Sequence, residues 1–136
     1  MRLSATDPHR HSATPRTRYA FLTLPDYSMI ALANAIEPLR MANRVSGLDA
    51  YEWLVVAPNG EPVPASNGLM MTPTTRLADA PDVDMVFVCG GVNVREAVSP
   101  ALITLLRRLA ARRMPLGALC TGGYALAQAG LLDGYH

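Results

Sequence analysis

Charge, aromatic side chains and cysteine are all scarce in this chain. Charged residues make up 17% of its 136 positions and aromatics 6%, and the formal net charge is +1. Such a balance gives no overall drive toward nucleic acid or an acidic membrane surface. The two cysteines, Cys89 and Cys120, lie far apart and form no metal-ligand spacing. That usage fits a reduced, cytoplasmic protein, and neither a metal nor a cofactor is expected. No apolar run approaches the roughly 20 residues that span a bilayer, and the N-terminus has no apolar signal-peptide core. What the chain does have is apolar residues, 50% of the total, enough for the core of one domain.

Residues 1–17 are polar and interrupted by Pro8 and Pro15, and read as a flexible tail. His9 and His11 within it offer metal-ligating nitrogens, with simple solvation the plainer reading. The domain proper is expected over 18–136. Arg18 to Leu24 reads as a first strand, and Pro25-Asp26-Tyr27 as a turn. Ser28 caps a helix that runs to about Val45, with Met29, Leu32, Ala33, Ile36 and Leu39 at helical spacing and Gly47 as its stop. Pro38 inside this pattern predicts a kink or one lost ladder bond. Tyr51 to Ala57 is a second strand. Pro62–Ala65 and Leu69–Thr72 flank Ser66-Asn67-Gly68 as a small hairpin. Leu77 to Pro81 is a connector, and Met85 to Cys89 a third buried strand ending in Gly90-Gly91. Ser99-Pro100 opens a helix to about Arg113, with Leu102, Ile103, Leu106, Leu109 and Ala110 inward. Arg107, Arg108, Arg112 and Arg113 form either a nucleic-acid patch or a solvated face that complements the helix dipole; no aromatic or Gly-rich element interleaves them, which favours the second.

The chain is organised around Pro115 to Tyr124. Leu116 to Leu119 suits a central parallel strand, and Cys120 sits where strand turns into helix, with Gly122 and Gly123 following at once. This has the pattern of a nucleophile elbow carrying sulfur in place of oxygen. A thiol at a helix N-terminus is favoured as thiolate by the macrodipole, while a buried structural cysteine at a tight turn is the alternative. The following helix is expected over Tyr124–Leu132, stopped by Gly134. Alternating strands and helices predict an open, parallel α/β sheet with helices on both faces and its site at the strands' carboxyl ends. That edge gathers Asp26, Gly90-Gly91 and Cys120. A doubly wound domain rarely stops directly after its fourth crossover helix, so a domain truncated at its C-terminal end is expected.

The run from Gly117 through Cys120-Thr-Gly-Gly123, then Ala125-Leu-Ala-Gln-Ala-Gly-Leu-Leu-Asp-Gly134, resembles the PfpI-like branch of the class I glutamine amidotransferase superfamily. More narrowly it resembles the N-terminal domain of AraC-family transcriptional regulators of the GlxA type. Phe21 to Pro25, Glu37 to Arg44, Ser66 to Leu69, Leu77 to Pro81 and Cys89 to Gly91 carry the same likeness. The resemblance implies a flavodoxin-like sheet, a homodimer, a small-molecule effector of amino-acid or amine type, and DNA binding through a C-terminal pair of helix-turn-helix motifs outside this chain. Three departures bear on chemistry. Thr121 stands where enzymes of the superfamily often have histidine. Ala31 falls where related members have an acidic residue, with Asp26 the nearest substitute. His136 comes too early to match the regulators' histidine.

A thiol without base or orienting acid has little acid–base support. The elbow can still bind a carboxylate or carbonyl through the Gly91 and Thr121 amides. Cys120, Thr121, Gly91, Asp26, Asn67 and Asn93 are therefore the candidate ligand-binding residues, Asn67 and Asn93 by loop position alone. Cys120 is the candidate nucleophile, and no catalytic residue is assigned. Ligand sensing without turnover leads. A cysteine-dependent hydrolase or hydratase on a small carbonyl or amide is the alternative, and a thiol redox sensor using Cys120, with Cys89 nearby, is the third reading.

Overall fold

The computed structural model describes residues 15–80 and 82–135. Most of the expected tail, His9 and His11 included, lies outside the described residues, as does His136. The last tail residue instead opens the first strand, and Arg16 pairs with Asp49 at 3.1 Å.

Five parallel strands form the sheet: β1 (Thr17–Thr23), β2 (Tyr51–Ala57), β3 (Thr75–Arg76), β4 (Met85–Cys89) and β5 (Leu116–Leu119), in the order β3-β2-β1-β4-β5. The chain winds outward from β1 to β3, then crosses to β4 and winds the other way. This is the flavodoxin-like α/β arrangement, and its topological switch point lies between β1 and β4.

Strand alternation separates two cores. Ala20, Leu22, Leu54, Val56, Val86 and Val88 pack against α3 (Pro100–Ala111), through Leu102, Leu106 and Leu109, and against α4 (Gly122–Gln128), through Ala125 and Leu126. On the opposite face Phe21, Tyr27 and Cys89 pack against α1 (Met29–Ser46), through Leu32, with half-buried Phe87 and Leu119 beside them.

Local signals set the helix ends. Ser28 Oγ accepts from the Ala31 amide at 3.3 Å, and Gly47 closes α1 at φ 71° with its N–H on the Asn43 carbonyl. Pro38 stays inside α1. The carbonyl it leaves without an intrahelical donor belongs to Asn34, which is exposed to water, so the helix continues. Ser99 Oγ caps α3 from the Leu102 amide at 3.1 Å, with Pro100 opening the helix.

Several expectations need correction. The hairpin is reduced to one antiparallel bridge, Pro64 with Met70, because Ala65 instead bridges in parallel to Tyr27. The strand read as third is the fourth, since β3 precedes it, and Leu77–Asp79 in the connector is a 3-10 turn. A four-residue helix, α2 (Val94–Ala97), follows β4. The last helix starts at Gly122 and ends at Gln128, because Gly130 rather than Gly134 makes the first left-handed turn, at φ 77°. Arg107 donates to the Ala129 carbonyl at 2.9 Å, tying α3 to the end of α4 rather than joining a basic patch. Among the described residues no helix is long and apolar enough to cross a membrane.

Candidate functional site

Three loops leave the carboxyl edge of the sheet beside the switch point: one after β1 (Asp26-Tyr27), one after β4 (Gly90 to Asn93) and one after β5 (Cys120-Thr121). Four non-glycine residues among those described have positive φ. Three stand here: Asp26 at 62°, Asn93 at 58° and Cys120 at 52°. Each left-handed residue costs of order 1 kcal/mol or more, and such strain persists only where surrounding contacts enforce it.

Those contacts are specific. Tyr27 is fully buried; its N–H donates to the Leu24 carbonyl at 3.1 Å and its carbonyl accepts from Ser66 at 2.9 Å. Asp26 N–H donates to the Pro64 carbonyl at 2.8 Å, and Ser28 N–H to the Gly90 carbonyl at 3.0 Å. Gly91 presses so closely on the β1 loop that a Cβ there would lie 2.0 Å from the Asp26 carbonyl oxygen. Thr121, at the N-cap of α4, makes no cap bond with its side chain; its hydroxyl donates to the Gly91 carbonyl at 2.6 Å. The β4 loop is thereby pinned between the other two.

Of the six candidate residues, five join this edge. Asn93 Nδ2 donates to Asp26 Oδ2 at 3.3 Å, and Thr121 ties to Gly91. Cys120 is exposed, and among the described residues its thiol makes no hydrogen bond. The amides of Gly91 and Thr121 donate to no described acceptor either. Asn67 stands apart from the hydrogen-bonded set. Its Oδ1 accepts from the Leu69 amide at 3.0 Å and its Nδ2 lies 3.5 Å from Met29 Sδ, though its loop is anchored on Tyr27. Ala31, the position of the missing acid, lies in the first turn of α1, where its amide is engaged by the Ser28 cap.

The two thiols have opposite surroundings. Cys89 is fully buried, and burial pushes its thiol up to about 12. Tyr27 is likewise raised, first by burial and then by the neighbouring Cys89, and its buried hydroxyl has no hydrogen-bond partner among the described residues. Sequence reading took Tyr27 as a turn residue and missed it as the buried hub of the edge. The available signal was an aromatic side chain between a strand and a capped helix. No three metal-ligating side chains come together among the described residues.

Residues 21–136 match the DJ-1/PfpI family. The chain is 49% identical over 115 residues to the HTH-type transcriptional regulator GbdR of Pseudomonas aeruginosa, covering 85% of this chain and 31% of that protein. It is 43% identical to the HTH-type transcriptional regulator CdhR of the same species, covering 84% of this chain and 34% of that one. A shorter likeness, 36% over 74 residues, is to isonitrile hydratase of Pseudomonas putida, with 54% of this chain and 32% of the enzyme covered. In three dimensions it superposes on an AraC family transcriptional regulator from Pseudomonas putida with TM-score 0.77 and 32% identity, covering 88% of this chain and 64% of that one. The chain thus spans about a third of the length of the curated regulators it matches.

Proposed function

Because the chain belongs to the DJ-1/PfpI family, we propose that it is the effector-sensing domain of an AraC-family transcriptional regulator, binding a small amino-acid or amine metabolite without turning it over. In this reading DNA is contacted by a part of the regulator outside this chain, and the protein works as a cytoplasmic homodimer. One observation carries the absence of turnover. The elbow keeps its exposed cysteine, but the side chains around it are committed elsewhere: Thr121 to the Gly91 carbonyl and Asp26 to Asn93. The three histidines of the sequence are at positions 9, 11 and 136, so none is supplied between β1 and α4. A thiol needs a base or a depressed pKa to act as a nucleophile, and no base stands beside it in the described structure.

The same edge suits binding. Among the described residues the Gly91 and Thr121 amides have no acceptor, which leaves them as donors for a carboxylate. Asp26, also at the edge, supplies negative charge for an amine or quaternary ammonium, and Asn93 orients it. Asn67 is proposed to line the same site from its loop above α1.

A thermal-shift screen of amino acids, betaines and small amines, with mass analysis of each hit, tests this. A hit at a hundredfold excess over its dissociation constant should stabilise the chain by about 2.7 kcal/mol and be recovered intact. The likeness to isonitrile hydratase favours a second reading, a cysteine-dependent hydratase or hydrolase. Turnover of a hit, abolished by Cys120→Ser, would establish that reading and remove the first.

A further inference from the structure

We propose that the cavity at the amino end of β5 is a second ligand site, for a small amphipathic carboxylate whose apolar chain fills it and whose charged end sits on Arg113. The cavity holds about 560 Å³, inside the range of roughly 300–1,000 Å³ that small-ligand sites occupy. Its walls are apolar. Met114, Pro115 and Leu116 lead into β5, Leu126 comes from α4, and Leu132 closes the far side at 43% exposure. Exposed Arg113 is the one charged residue among those described that line it. The cavity is separate from the elbow. It lies where β5 begins, whereas Cys120 follows where β5 ends, about 13 Å away along an extended strand.

The backbone of Arg113 carries the first argument. It is the fourth left-handed residue, at φ 60°, and the only one of the four away from the elbow edge. It follows the Arg112 cap of α3, and two bonds close the turn: Arg113 N–H to the Ala110 carbonyl at 2.9 Å and Met114 N–H to the Leu109 carbonyl at 3.1 Å. This is a Schellman ending, whose left-handed position is usually glycine because a Cβ is strained there. An arginine at that position gives up stability that a glycine would recover. Complementing the helix dipole does not account for it, since Arg108 already stands in the last turn.

Charge selects the occupant. Between Glu96 and Asp133 the sequence holds four arginines, at 107, 108, 112 and 113, and no acid. Arg107 is engaged by the Ala129 carbonyl. Among the described residues Arg113 makes no ion pair. Asp133 does not line the cavity; its carboxylate lies beside Gly130. A guanidinium holds a carboxylate through two parallel N–H donors, a geometry that a hydroxyl cannot match. The apolar walls in turn favour a chain over a small hydrophilic anion, which would leave them wet. A ligand with both parts fits; one with a cationic end meets only positive charge.

Calorimetric titration of the 136-residue chain with octanoate, below its micellar concentration, tests this. Saturable binding is expected, with 1-octanol at least tenfold weaker. Arg113→Gly should melt no lower than the parent, because glycine adopts this turn freely, and yet bind octanoate at least tenfold more weakly. That pairing separates a lost ligand contact from a damaged fold. Leu132→Glu, which sets a carboxylate against the cavity, should weaken binding as well, and Arg108→Ala, one turn back on α3, should leave it essentially unchanged. Octanoate should also leave the alkylation rate of Cys120 unaltered, which keeps this site distinct from carboxylate binding at the elbow. Absence of binding, or binding indifferent to Arg113→Gly, overturns the proposal. So does equal binding of 1-octanol, which would make the cavity a packing surface for protein, and so does protection of Cys120, which would put the anion at the elbow.

Discussion

Gly122→Ala is expected to destabilise the fold by about 3 kcal/mol or more, while Gly123→Ala, one residue on, is expected to stabilise it. A Cβ on Gly122 would lie 2.0 Å from the Val88 carbonyl oxygen and 2.8 Å from its carbon. Both atoms are backbone of a central strand, so no flexible side chain can yield. The only relief is to lift α4 off the end of β4. A Cβ on Gly123 has Ala118 Cβ as its nearest neighbour, at 3.9 Å, which is ordinary contact. There the gain is the usual preference for alanine over glycine inside a helix, up to about 1 kcal/mol. Thermal unfolding should show Gly122→Ala melting roughly 10 °C or more below the parent and Gly123→Ala slightly above it. Equal melting temperatures for the two would mean that α4 does not sit on β4 as described. The consequence for the candidate site is direct, because this close approach is what sets Thr121 against Gly90 and Gly91.

Much of this arrangement was legible in the sequence where its cause was local. Ser28, Gly47 and Ser99-Pro100 mark helix ends because a hydroxyl, a left-handed turn and a missing N–H act within one turn of chain. The strands β1, β2 and β4 announce themselves as apolar runs because both faces of the sheet are covered there; β5, read as a central strand, stands instead at the end of the strand order with Ala118 exposed. Where the cause is remote, the sequence is silent. β3 is only Thr75-Arg76, and it exists because Val56 and Ala57 offer it an edge. The early end of α4 turned on which of two glycines makes the first left-handed turn, and the apolar Leu131-Leu132 between them masked the answer.

The candidate site divides in the same way. The Cys120 elbow was readable from its following glycines. Asp26 and Asn93 are 67 positions apart; Asp26 is named as an acid at the strands' carboxyl edge and Asn93 by loop position alone, yet their hydrogen bond is a product of the crossover. The bond from Thr121 to the Gly91 carbonyl could not be foreseen, since an N-cap threonine ordinarily spends its hydroxyl on its own helix. Tyr27 was missed because burial of a turn residue depends on three loops arriving from different parts of the chain.

Between pH 9 and 12 the fold is expected to lose about 4 kcal/mol through one thiol, Cys89. In the unfolded chain that thiol ionises near 9.0, whereas burial in the fold pushes it up to about 12. Below the first value both states hold the proton and the fold keeps its full stability. Above it the unfolded chain releases the proton and the folded chain does not, so rising pH favours unfolding until the folded thiol also ionises. Tyr27, raised by the same burial, adds in the same direction at higher pH. Urea denaturation at several pH values should show this decline, and Cys89→Ala should flatten it while leaving the Tyr27 part. The same burial makes Cys89 unreactive under native conditions. Iodoacetamide at pH 8, read by mass spectrometry, should modify exposed Cys120 and leave Cys89 untouched until the chain is denatured. Labelling of Cys89 first would mean that the elbow is misplaced. Selective labelling of Cys120 makes the alkylation rate a probe of the proposed site, because Cys120 is exposed and directly precedes Thr121, whose hydroxyl is tied to Gly91. Protection of Cys120 by a thermal-shift hit, without loss of that hit, would tie binding to the elbow and separate it from chemistry at the sulfur.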